Sequence, residues 1–199
     1  LNQLPTAYDY IRLGHPLSCV LEWAVAGLNN LKPASVISFS SRTTPVLAIL
    51  RKNLLDNKNT QIAYIGELPD CFDKDVLREV YGYQFELKQV EHVSAIPEFD
   101  GSTVFIAQQA HTYAFDLNPN VDFFINLQEH LGSLLLANAG NESYVSEIQH
   151  VRRRETIAMT PVICLAALHA LTESPATSDS GLISLINQRI EDDFETIRS

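Results

Sequence analysis

The sequence predicts an α/β fold: three layers, α/β/α, around a mostly parallel sheet, with a few helices at the C-terminal end. Three observations carry that expectation. Short apolar runs of strand length recur along the chain. In the first half they alternate with segments whose apolar residues fall at helical spacing, and such alternation implies crossover connections and a sheet covered on both faces. The last third then turns mainly helical. With 199 residues, 46% of them apolar, the chain can bury a sizeable core. Residues 1–172 read as one α/β domain. Residues 173–199 read as a linker and a terminal helix that packs on the same domain.

Residues 16–28 place Leu17, Val20, Leu21, Ala24, Val25 and Leu28 on one helical face, with Pro16 at the favoured first position. Residues 34–39 read as a buried strand, and 40–44 as a polar turn. Thr44-Pro45 opens a second helix, which Val46, Ile49, Leu50 and Leu54 continue. A strand at 61–65 stops at Gly66. A helix beginning at Asp73 is expected to turn Val76, Leu77, Val80 and Tyr81 inward and to end at Gly82. Further strands are expected at 84–90, 103–107, 121–126 and 133–137, and helices at 141–152 and 160–172. Residues 173–181 are rich in serine, threonine and proline and read as a loop. Residues 182–198 carry Ile183, Ile186, Ile190 and Phe194 on one side of a last helix. No internal repeat is visible.

Composition narrows the function classes. A formal charge of −10 opposes nonspecific binding to nucleic acid or an anionic membrane, because such binding needs cations to displace counterions. The one basic cluster, Arg152-Arg153-Arg154, reads as a solvated helix end. No apolar run approaches the roughly 20 residues of a membrane span. The first residues lack a secretion signal's layout, and a cytoplasmic protein is expected. Cys19, Cys71 and Cys164 are odd in number and widely spaced, so they read as buried reduced thiols. Glu147 and His150 share a helical face but are too few for a metal site. Hydrolase triad signatures, phosphate-binding loops and dinucleotide fingerprints are absent.

The opening stretch Tyr8-Asp9-Tyr10-Ile11-Arg12-Leu13-Gly14-His15-Pro16, with Leu21-Glu22 and Val25-Ala26 behind it, is more specific. It resembles the start of the Cys/Met-metabolism family of pyridoxal-phosphate (PLP) enzymes, the fold-type I cystathionine gamma-synthases and methionine gamma-lyases. His15 stands where that family has asparagine. Phe39-Ser40-Ser41-Arg42-Thr43 resembles the family's strand ending in Ser-Ser-Gly. Residues 78–87 and 103–106 resemble the steps that follow. The resemblance implies a reduced version of the PLP-transferase large domain. Beyond Ala107 a helix and a strand of the family pattern are missing, and with them the aspartate that holds the pyridine nitrogen protonated. Residues 121–132 resemble the lysine-bearing strand and turn, with Glu129 in the lysine's place. A carboxylate cannot form a Schiff base. The stacking tyrosine expected after Gly66 is absent, and the family's C-terminal substrate domain is not represented.

The resemblance also assigns candidate sites. Ser40, Ser41 and Arg42 join a strand to a helix N-terminus, where the family holds the cofactor phosphate. Arg42 replaces the glycine and adds a cation; an ordinary helix-capping turn is the other reading. Tyr10 and Arg12 belong to the family's arm, which crosses a dimer interface to a neighbour's phosphate. Glu129-His130 could form an acid–base pair if both faced a cavity. The resulting expectation is a non-catalytic relative with no catalytic residue, no metal and no cofactor, PLP being admitted only without a covalent link. It would act as a structural or regulatory subunit, as a homodimer or in a hetero-oligomer with an active paralogue. A small-anion module and a weak PLP-dependent lyase or transferase are the alternatives.

Overall fold

The computed structural model describes residues 12–69, 72–109, 113–128 and 132–172. A six-stranded sheet runs through them in the order β1-β6-β5-β4-β2-β3. Its strands are β1 (Val36–Phe39), β2 (Thr60–Tyr64), β3 (Phe85–Gln89), β4 (Ser102–Ala107), β5 (Phe123–Gln128) and β6 (Gly132–Ala137). The pairs β3–β2, β2–β4 and β4–β5 are parallel. β6 runs against both β5 and β1, so β1 shares β5's direction. The C-terminal ends of β1 to β5 therefore lie along one edge of the sheet, the edge at which open α/β sheets bind ligands. The expected mostly parallel α/β/α architecture is present.

The helices are α1 (Pro16–Leu28), α2 (Thr44–Leu55), α3 (Lys74–Glu79), α4 (Val145–Glu155) and α5 (Pro161–Leu171). Alternate strand residues feed two cores. Val104 and Ile106 join Ile49 and Ile148, under α2 and α4. Phe105 and Ala107 join Val25 and Cys164, under α1 and α5. Burial on both faces is why β4 reads as a continuous apolar run. Proline opens α1 as expected, and the His15 side chain caps it: Ser18 N–H donates to Nδ1 at 3.2 Å. Nε2 therefore carries the ring hydrogen and donates to the Met159 carbonyl at 2.6 Å.

Several expectations need correction. β1 begins two residues late because Pro33–Ser35 forms a 3₁₀ turn, which Pro33 favours by its fixed φ. α4 starts at Val145, behind another 3₁₀ turn at Glu142–Tyr144. Leu28 closes the last turn of α1, where Asn29 ends the helix, and it stays exposed. α3 is only six residues long, so a single position, Leu77, turns inward. Val76, Val80 and Tyr81 face solvent instead, at 42%, 73% and 59% exposure. The expected features at 173–199, and Cys71, lie outside the described residues.

The connection from β4 to β5, residues 108–122, has no helix or strand among its described residues, in line with the shortening that the resemblance implied. Asn29 takes over part of the missing support. Its Nδ2 donates to the Tyr113 carbonyl at 2.7 Å, and its Oδ1 accepts the Phe115 N–H at 2.8 Å. One side-chain amide thus pairs with an extended segment as a neighbouring strand would. Tyr113 is buried there, and the Phe115 ring lies 4.6 Å from that of Phe124.

The outer rim of β1 is closed by an ion pair. Glu22 Oε1 accepts the Ser38 N–H at 2.8 Å, and Arg152 Nη1 donates to the Ser38 carbonyl at 3.0 Å. The two side chains meet at 2.8 Å, and Arg152 Nη2 donates to the Leu13 carbonyl at 2.8 Å. Arg152 is 4% exposed, which corrects the reading of the basic cluster as solvated; only Arg153 and Arg154 are exposed. A strand edge needs its polar groups satisfied, and this pair does so without another strand.

Cys19 and Cys164 are buried, as expected. Burial, assisted by the Glu22 charge and the Cys19 thiol, pushes the Cys164 thiol from about 9 up to about 12. The unfolded chain releases this proton near 9 while the folded chain keeps it. The stability is therefore complete below pH 9 and falls as pH rises from 9 to about 12. Burial also raises Tyr83, Tyr113 and Tyr144, whose losses begin above pH 10. We expect Cys164→Ala to flatten the decline between pH 9 and 10 in urea titrations. An unchanged slope would show that other groups govern it.

Candidate functional site

The turn after β1 is built by Ser41. Its hydroxyl oxygen accepts the N–H of Thr43 at 3.2 Å, the N–H of Thr44 at 3.1 Å and the hydroxyl of Thr44 at 2.9 Å. These are the donors at the N-terminus of α2 that a phosphate would otherwise take. The Ser133 hydroxyl donates to the Ser41 carbonyl at 2.6 Å and fixes the turn against β6. Loss of this cap in Ser41→Ala should cost about 1 kcal/mol in chemical unfolding. A loss near zero would mean that the cap is not stabilising.

Arg42 reaches across the edge and donates from Nη2 to Gln108 Oε1 at 3.3 Å. Its Nε is buried with no partner among the described residues. Beside it, Asn126 accepts the Gln109 N–H at 2.9 Å and donates to the Gln109 carbonyl at 3.1 Å. The polar groups placed here by β4 and β5 are thus amides. The cradle offers an anion one cation, one spare donor and a helix N-terminus already capped from within. Its phosphate end suits PLP through Arg42, whereas the described residues here offer no carboxylate for a pyridine nitrogen.

Ser40 turns the other way. Its hydroxyl lies 3.0 Å from that of Thr156 and donates to the Ile157 carbonyl at 3.3 Å. Arg12 lines a shallow cleft of about 210 Å³ with Arg154, Glu155, Thr156 and Ile157. Arg12 and Ser40 therefore meet the same segment, while Ser41 and Arg42 face Gln108 and Ser133. Tyr10, Glu129 and His130 lie outside the described residues. No group of three or more potential metal ligands gathers among the described residues, and no helix there is long and apolar enough to cross a membrane. Gln108, Asn126 and Thr156 were not singled out from the sequence. Uncharged polar residues at strand ends carry little signal without a register.

All five lysines are described, and their positions are informative. Lys32 precedes β1 and pairs with Glu142 at 3.2 Å. Lys52, in the last turn of α2, pairs with Asp56 at 2.9 Å. Lys58 sits over the Tyr144 ring before β2. These three lie towards the edge opposite the cradle. Lys74 opens α3, and Lys88 lies in the outer strand β3.

No family model matches this sequence, and no curated protein is similar enough to match it. Solved structures do share its shape. The metB protein of Corynebacterium glutamicum aligns at 14% identity and a TM-score of 0.55, over 85% of this chain and 54% of that one. Cystathionine gamma-lyase of Lactobacillus plantarum aligns at 11% and 0.53, over 81% and 52%. A Listeria monocytogenes protein assigned as an L-allo-threonine aldolase aligns at 14% and 0.53, over 87% and 61%. The chain thus spans between half and two thirds of the length of these relatives. The likeness corrects the expectation that no cofactor is involved, because the fold is one that PLP-dependent enzymes use. By its fold, this chain is similar to the large domains of these enzymes.

Proposed function

We propose that the chain serves as a non-catalytic subunit of this PLP-dependent class, structural or regulatory in role, either as a homodimer or beside an active full-length relative. The placement of the lysines supports the reading. Amine catalysis on PLP needs a lysine at the cradle, and neither the turn after β1 nor the described residues that follow β4 and β5 carry one. The aligned position, Glu129, is a carboxylate in the sequence.

The test is turnover. The purified chain, supplied with PLP and then cystathionine, is expected to release no more product than PLP alone. Turnover that disappears in Arg42→Ala would overturn the subunit reading. In the same preparation PLP should raise the melting temperature, and Arg42→Ala should reduce that rise. A second reading, a binding site for a small phosphate compound expected at Ser40, Ser41 and Arg42 and here narrowed to Ser41 and Arg42, is favoured by the unpartnered Nε of Arg42. Stabilisation by inorganic phosphate equal to that by PLP would favour it.

A further inference from the structure

The two edges of the sheet are finished differently. β1 is closed by Glu22 and Arg152, whereas β3 is closed only at its start, by Arg78. Val90 N–H donates to the Tyr64 carbonyl, towards β2, so the even-numbered residues of β3 bond inward. Phe85, Leu87 and Gln89 therefore turn their backbone groups outward. Arg78 Nη2 donates to the Phe85 carbonyl at 3.1 Å. The outward N–H and carbonyl of Leu87 meet no group among the described residues. Two exposed apolar side chains lie beside this edge, Val76 and Val80, on or just after α3. Exposed apolar side chains gathered beside an open strand mark an interaction surface.

We propose that this edge is a homodimer contact, in which β3 of one copy pairs antiparallel with β3 of a second copy about a twofold axis at Leu87. The strand is self-complementary in that register. Leu87 faces Leu87 of the second copy in a hydrogen-bonded pair, and Phe85 faces Gln89 in another, where the Gln89 N–H shares the Phe85 carbonyl with Arg78. Between them Glu86 faces Lys88, twice by symmetry, in the closely spaced pairs where side chains approach most. Glu86 and Lys88 are both exposed and lie on one face of the strand. A lysine on an edge strand commonly blunts pairing. Here each lysine meets a glutamate, so the charges discourage other partners and admit a second copy. The joined sheet would also bring the two α3 helices together over the seam and cover Val76 and Val80. This contact deepens the homodimer form of the subunit reading, and the two fail separately, because the contact is read as mass and the subunit reading as turnover.

The experiment is sedimentation equilibrium of the full chain with two charge variants. The wild type is expected to associate reversibly as a dimer at micromolar concentration. Lys88→Glu places glutamates opposite each other and should weaken the dimer at least tenfold. The double exchange Glu86→Lys with Lys88→Glu restores opposite pairs and should return the dissociation constant to within about threefold of the wild type. Val80→Asp should weaken the dimer as well. Far-UV circular dichroism confirms that each variant is folded. A wild type that stays monomeric overturns the proposal. So does a dimer that Lys88→Glu and Val80→Asp leave intact.

Discussion

Arg152→Met is expected to remove about 3–5 kcal/mol of folding stability in urea titration, because it strands the Glu22 carboxylate in a buried position without its partner. Glu22 is also the acceptor for the Ser38 N–H and hydroxyl, so an unneutralised charge would sit against the rim of β1. The double change Glu22→Leu with Arg152→Met removes both charges and should recover part of the loss. It leaves the Ser38 backbone groups unmet, so recovery should be incomplete. A single-variant loss below about 1 kcal/mol would mean that the pair is not what closes this edge.

Gly132→Ala should be at least as damaging. A methyl group at that position would stand 2.1 Å from the Phe39 carbonyl oxygen and 3.0 Å from the Ser40 backbone. Those atoms belong to β1 and its turn and cannot rotate aside. The φ of +94° adds the strain of a left-handed conformation. We expect a loss of at least ~3 kcal/mol or little soluble protein. Gly140→Ala is the control. Its φ is +92°, but its added methyl would touch nothing within 4 Å. It should therefore cost about 1–2 kcal/mol from strain alone. Equal effects at the two positions would show that the close approach of β6 to β1 is unimportant.

The layers and most elements were legible because their signals are local. Pro16, Thr44-Pro45 and Asp73 mark helix starts, and the strands are continuous apolar runs. The misplaced starts of β1 and α4 come from 3₁₀ turns, which carry no periodic pattern. Val76, Val80 and Tyr81 were assigned inward because helical spacing names a face without saying how much of it a short helix can bury. Arg152 was read as solvated for a similar reason: its partner Glu22 lies 130 residues away, and no one-dimensional pattern joins them. At the candidate site, the turn from Ser40 to Arg42 was visible as a strand–turn–helix step. The internal cap by Ser41, and the Gln108 that Arg42 reaches, depend on atomic geometry.

The bare crossover between β4 and β5 has one more result. Were a strand inserted there, β1 and β4 would stand about 4.8 Å further apart. At the present width Arg42 spans the mouth and latches onto Gln108. An anion that draws Arg42 towards the Ser41 turn must match the hydrogen bond given up with Gln108, which takes about 1 kcal/mol from its net affinity.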